Sequence, residues 1–116
     1  MEKLNYLTML TALRECTEIN GLRVGIFTSL QKRRLDTFDE LIESMDKEER
    51  ELKSRSVRSS TSTFIEFKNG SYIKVLGTSE NARGHAFHKV LYEEGISNEL
   101  LHCVIRPTEK LRSPLF

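Results

Sequence analysis

The dipeptide Asn69-Gly70 sits between two runs of alternating residues, Phe64-Ile65-Glu66-Phe67-Lys68 and Ser71-Tyr72-Ile73-Lys74-Val75. Period-two alternation marks β-strand, and Asn-Gly accepts the positive φ of a tight hairpin turn. A β-hairpin over about residues 64–76 is therefore predicted. It commits the chain to a sheet and excludes an all-helical fold. The same period places Phe64, Glu66 and Lys68 on one face of the sheet and Ile65 and Phe67 on the other.

The flanking segments change period. Over residues 4–18, Leu4, Leu7, Leu10 or Thr11, and Leu13 or Arg14 recur near helical spacing, with Tyr6 and Met9 widening the apolar face. Asn20-Gly21 ends that helix, because Gly tolerates the left-handed backbone beyond a helix end. Leu22–Phe27 reads as a buried strand with apolar residues on both faces. A helix follows to about residue 47, capped by Thr28 or Ser29, with its apolar stripe on Leu35, Phe38, Leu41 or Ile42, and Met45. Lys47–Leu52 is expected to extend it. Residues 54–63 are rich in Ser and Thr and are expected to form a flexible loop. Residues 77–84 form a second loop, and a strand runs from about His88 to Glu93. A turn at Gly95-Ile96-Ser97 opens a short helix to about Cys103, and residues 107–116, with Pro107 and Pro114, read as a loose tail. The order helix, strand, helix, hairpin, strand, helix gives an α/β fold in one domain, residues 1–116.

Composition narrows the function classes. Charged residues make up 30% of the 116 residues and apolar ones 38%, as in a globular domain. The net charge of +1 does not advertise nucleic acid. Its distribution is more telling, since Lys53, Arg55, Arg58, Lys68, Lys74 and Arg83 are opposed in their window only by Glu66 and Glu80. This basic middle is either a weak, sequence-independent phosphate-binding surface or a solvated one. Lys32-Arg33-Arg34 opens a helix, where positive charge is unfavourable, and hints at an anionic partner. Cys16 and Cys103 lack metal-ligand spacing and read as reduced thiols. His85 and His88 have no third ligand nearby, so no metal site is expected. No apolar run is long enough for a membrane span and no leader pattern opens the chain, so a bacterial cytoplasm is the expected compartment.

The strand Val90-Leu91-Tyr92 ends in two carboxylates, Glu93 and Glu94. The hairpin around Asn69-Gly70-Ser71, a loop carrying Arg83-Gly84, and this strand occur in the order found in the ATPase core of the large terminase subunit, the DNA-packaging motor of tailed phages. LRVGIFTSLQKRRLDTFDELIESM resembles that family's second core strand and following helix, so the likeness spans about residues 4–110. It implies a partial P-loop-ATPase-like sheet with a hairpin insertion and flanking helices, in which Leu22–Phe27 and His88–Glu93 are parallel neighbours. Glu93 would match the Mg²⁺-associated position of the Walker B strand and Glu94 the catalytic carboxylate. Arg83 would approach phosphate, unless Gly84 merely permits a turn.

No GxxxxGK[ST] occurs in this sequence, so no loop cradles phosphates with backbone N–H groups and a following Lys. By the resemblance, the chain begins about where the helix after such a loop would run. It also stops before the elements that complete the motor. Glu93 and Glu94 are then either a vestige or a half-site that meets Mg-ATP only with a Walker A-bearing partner. With the remaining strands absent, residues 88–93 are expected on an open sheet edge, covered by the tail or by a second chain. The expected functions are a terminase-like fragment that is not catalytic alone, a phage-encoded non-enzymatic module acting on a host or defence protein, or a small nucleic-acid-binding protein using Arg55, Arg58, Lys68, Lys74 and Arg83.

Overall fold

A computed structural model describes residues 1–78 and 84–112. The chain forms a six-stranded mixed sheet with helices against it, in the strand order β1-β6-β2-β5-β4-β3. The strands are β1 (Glu2–Lys3), β2 (Arg23–Thr28), β3 (Lys53–Arg58), β4 (Thr63–Phe67), β5 (Tyr72–Gly77) and β6 (Lys89–Tyr92). The first four in spatial order, β1, β6, β2 and β5, run parallel, and β4 and β3 continue antiparallel. The parallel neighbours β2 and β6 pair Val24 with Lys89 and Phe27 with Tyr92. The hairpin is β4–β5, turned at Gly70 with φ 85°.

One face of the sheet is covered by α1 (Tyr6–Glu18), α2 (Arg33–Ser44) and α3 (Lys47–Leu52). Met9, Ala12, Leu13 and Cys16 of α1, and Phe38 and Leu41 of α2, pack on Val24, Ile26, Ile65, Ile73, Val75 and Leu91. Asn5 and Thr8 form a capping box that starts α1. The phase of α1 departs from expectation. Tyr6 and Leu7 remain 69% and 72% exposed, while the stripe through Ala12 and Cys16 faces the sheet. Of the expected apolar set, Met9 and Leu13 are buried; the small residues Ala12 and Cys16 complete the core stripe and let the helix approach closely, and Tyr6 and Leu7 lie off it. Lys47–Leu52 does not extend α2 either. Asp46 caps it as a separate helix, its side chain accepting from Glu49 N while Glu49 reaches back to Asp46 N.

The second face carries less cover. The chain after β6 forms α4 (Asn98–Leu100), a wide π-type turn (Leu101–Ile105) and a 3-10 turn (Arg106–Thr108). Val104 and Ile105 pack there against Phe27, Phe87 and Val90. Phe87 lies on Gly25, where a Cβ would come within 2.5 Å of the ring. Over β3, β4 and β5 this face is only half-buried or exposed.

Three expectations need correction. Residues 54–63 are not a flexible loop. Lys53–Arg58 is a strand paired with β4, and Ser59 N donates to Ser62 O across the turn at 2.8 Å. The buried Arg34 guanidinium holds that turn, donating to Ser59 O, Ser60 O and Thr63 Oγ1. Residues 107–112 are not a loose tail. Phe87 N donates to Thr108 O, Leu111 N donates to Phe87 O, and Glu109 accepts from Val90 N and from the Met1 amino group. Residues 113–116 lie outside the described residues. Nor is β6 an open edge. Lys3 pairs with Tyr92 and Leu4 N donates to Tyr92 O, so the chain's own start covers it and removes the reason for a second chain there.

Candidate functional site

The chain leaving β2 turns to α2 on one face of the sheet, and the chain leaving β6 turns to the C-terminal segment on the other. Between the carboxyl ends of two parallel strands, such a divergence opens the crevice where α/β sheets place their ligands. Glu93, Ser29 and Arg33 meet there. The Glu93 backbone N–H donates to Phe27 O at 2.8 Å, which carries the ladder one residue past β6. Its Oε1 accepts from Ser29 N at 2.8 Å and Ser29 Oγ at 2.6 Å. Its Oε2 accepts from Arg33 Nε at 3.2 Å and Nη2 at 3.0 Å.

The Glu93 side chain is only 15% exposed. Partial burial pushes its pKa up, but the Ser29 hydroxyl and backbone N–H and the Arg33 guanidinium outweigh that and hold it below the usual range. Arg33 is correspondingly harder to deprotonate, chiefly through its hydrogen bond to Glu93. The basic helix opening thus has its anion inside the molecule. Glu94 differs. Its side chain is 80% exposed and pairs with Lys3 Nζ at 2.9 Å.

These residues do not fit a Mg²⁺ site. That ion needs oxygens free to coordinate in near-octahedral geometry, and both Glu93 oxygens already accept two hydrogen bonds each, beside a guanidinium. The groove of about 480 Å³ bordered by Glu93 and Glu94 is also bordered by Glu40 and Glu43, and by no Lys or Arg among the described residues. Lys3 and Arg33 are taken up by Glu94 and Glu93. Such a groove repels a polyphosphate. Among the described residues, no group of three or more His, Cys, Asp or Glu stands ready to hold a metal ion.

The basic candidates separate. Arg58 lies on the helical side, with Nε and Nη2 donating to Asp39 at 2.8 and 3.0 Å. Arg55 lies on the less covered face, 5.2 Å from the centroid of the Phe64 ring, and donates to Glu66 at 3.0 and 3.1 Å. Lys74 lies opposite Phe64 in the ladder, on that same face. Lys68 is exposed at the hairpin turn. Arg83 lies outside the described residues. Arg23, absent from the sequence-based set, joins this face with its guanidinium 5.9 Å from the Tyr72 ring centroid. The signal for it was present: two aromatic residues, Phe64 and Tyr72, occupy polar-face positions of the hairpin.

The histidines brace this region. His88 Nδ1 accepts from Arg23 N at 2.9 Å, which assigns the proton to Nε2. His85 stacks on Phe87 with centroids 5.8 Å apart. Burial lowers both pKa values, assisted by Lys74 at His85 and by Arg23 at His88. Cys16 is buried and its thiol pKa is pushed up, chiefly by that burial; Cys103 is exposed.

No family model, curated protein or solved structure matches this chain. No helix among the described residues is long and apolar enough to cross a membrane.

Proposed function

We propose that this chain is a terminase-like half-domain that does not turn over ATP on its own and acts by binding. The single observation that carries the reading is the Glu93 carboxylate, saturated by Ser29 and Arg33 in the crevice where a Walker B carboxylate would have to act. It is a latch between β6 and the β2–α2 loop. The parallel pairing of β2 with β6 and the hairpin after α2 and α3 support the terminase-like reading. The absent GxxxxGK[ST] and the acidic groove support the loss of turnover. Phosphoryl transfer depends on positive groups and backbone N–H donors around the phosphates, and Mg-ATP would enter only with a partner that supplies them.

Phosphate release from Mg-ATP, with and without duplex DNA, tests this. Background rates are expected in wild type, Glu93→Gln and Glu94→Gln alike. Turnover that Glu94→Gln abolishes would overturn it and restore a catalytic role. A binding role is favoured by the less covered sheet face, where Arg23, Arg55 and Lys74 gather around the half-buried rings of Phe64 and Tyr72.

A further inference from the structure

We infer that the open face of β3, β4 and β5 is a stacking platform for single-stranded nucleic acid. The inference deepens the reading of the chain as a binding module and rests on it.

The face pairs two features that single strands require. The first is aromatic. Phe64 and Tyr72 stand half-buried on the side away from α1, α2 and α3, with Tyr72 packed in part against the Phe87 cluster, while their neighbours Ile65 and Ile73 are fully buried on the other. Phe64 lies opposite Lys74 and Tyr72 opposite Glu66, so the two rings are diagonal neighbours in the ladder. Diagonal positions lie about 7–8 Å apart, which lets adjacent unstacked bases reach both. Each ring already has a guanidinium near it, Arg55 at Phe64 and Arg23 at Tyr72. Guanidinium planes and aromatic rings are the two surfaces on which bases stack.

The second feature is charge. Among the described residues, Arg23, Arg55, Lys68 and Lys74 meet a single carboxylate here, Glu66, which is taken up by Arg55. Among the described residues, Arg23, Lys68 and Lys74 pair with no carboxylate. A groove of about 390 Å³ is lined by Arg23, Phe64, Glu66, Tyr72 and Lys74, among others. It lies at the lower end of the range for ligand pockets, about 300–1,000 Å³.

The geometry favours a single strand over a duplex. Aromatic rings stack on unpaired bases, and bases already stacked inside a duplex do not offer their faces to Phe64 and Tyr72. Among the described residues, neither a helix nor a ribbon follows β3 or β4 on this face to enter a major groove. Arg58, assigned by sequence to the same basic stretch, is on the far side of the sheet and takes no part.

Fluorescence anisotropy with short labelled oligothymidylate and oligouridylate, beside a duplex of equal length, tests the inference. At low salt both single strands should bind more tightly than the duplex, and the two arms show whether the sugar matters. Phe64→Leu should weaken single-strand binding about tenfold, the loss expected for one stacked base. Arg23→Gln and Lys74→Gln should each lower the salt slope by about 0.7, one phosphate contact apiece. Arg14→Gln, on the helical side, should change nothing. Melting curves check that each variant is folded, and the charge variants keep the test valid should Phe64→Leu unfold. Preference for the duplex, binding insensitive to Phe64, Arg23 and Lys74, or no binding at low salt overturns the inference, the last leaving a protein as the occupant of this face. Background phosphate release from Mg-ATP alongside any of these results would leave the non-catalytic reading standing, so the two failures are distinguishable.

Discussion

The carboxyl edge of β2 and β6 and the open face of β3, β4 and β5 handle charge in opposite ways. At the edge, Glu93 is half-buried and each of its oxygens is used by Ser29 or Arg33. On the open face, Arg23, Arg55 and Lys74 border the half-buried rings of Phe64 and Tyr72, with one carboxylate between them among the described residues. The edge looks like the place for chemistry by topology, yet its groups are spent on holding the fold. The open face looks like ordinary strand surface by sequence, yet Arg23 and Lys74 there pair with no carboxylate among the described residues. Position in a fold nominates a site, and the partners of each polar atom decide what that site can do.

The largest expected effect breaks the latch. Glu93→Ala leaves Ser29 N–H and the Arg33 guanidinium without their acceptor and should destabilise the protein by about 2–3 kcal/mol. Thermal unfolding should show a fall on the order of 10 °C. Glu94→Ala, which removes only an exposed pair with Lys3, should stay within about 0.5 kcal/mol of wild type. Equal effects at the two positions would erase the distinction drawn between the adjacent carboxylates.

Next in size is the covered part of the second face. Gly25→Ala drives a methyl into the Phe87 ring and should cost about 1–3 kcal/mol. Denaturant titration measures it. On the open part, Lys74→Gln should change stability by no more than about 0.5 kcal/mol, because Lys74 pairs with no carboxylate among the described residues. A large loss at Lys74 would make the open face structural after all.

Acid should separate the regions more gently. The folded pKa values of His85 and His88 are lowered, so the unfolded chain binds more protons just below the ordinary histidine value of about 6.5. Stability is fully present above that value and falls as pH drops through the folded values. The lowered carboxylate of Glu93 adds a second loss below about 4.5, its ordinary value. Denaturation midpoints from pH 7.5 to 3.5 should show both stages. In His88→Gln the first stage should shrink. A midpoint constant from pH 7 to 5 would contradict the neutral His88 that accepts from Arg23 N.

How much of this was legible depended on the range of the interactions. Local patterns carried the hairpin, because alternation and Asn69-Gly70 are enough to specify it. The parallel pairing of β2 and β6 followed from the order of apolar segments and the resemblance they suggested. The two-residue strand Glu2–Lys3 has no pattern to read, since it is too short for alternation and its cover of β6 rests on backbone hydrogen bonds and ion pairs. Residues 54–63 were mistaken for a loop because hydroxyl-rich composition hides an edge strand whose turn is fixed by Arg34, far back in the sequence. The Glu93 pair was visible and its environment was not. Ser29 and Arg33 lie 64 and 60 residues away, and only the folded sheet brings them together. Lys32-Arg33-Arg34 did signal an unmet need for negative charge, but the anion is Glu93 of the same chain.

Amide ¹H–¹⁵N spectra recorded with Mg-ATP, and separately with a short oligothymidylate, test the division between the two regions most directly. The account predicts no movement of Ser29, Arg33 and Glu93 with Mg-ATP. It predicts shifts with the oligonucleotide along Phe64, Glu66, Tyr72 and Lys74, on the open face. Saturable shifts at Ser29, Arg33 and Glu93 with Mg-ATP, with the open face silent to the oligonucleotide, would contradict it.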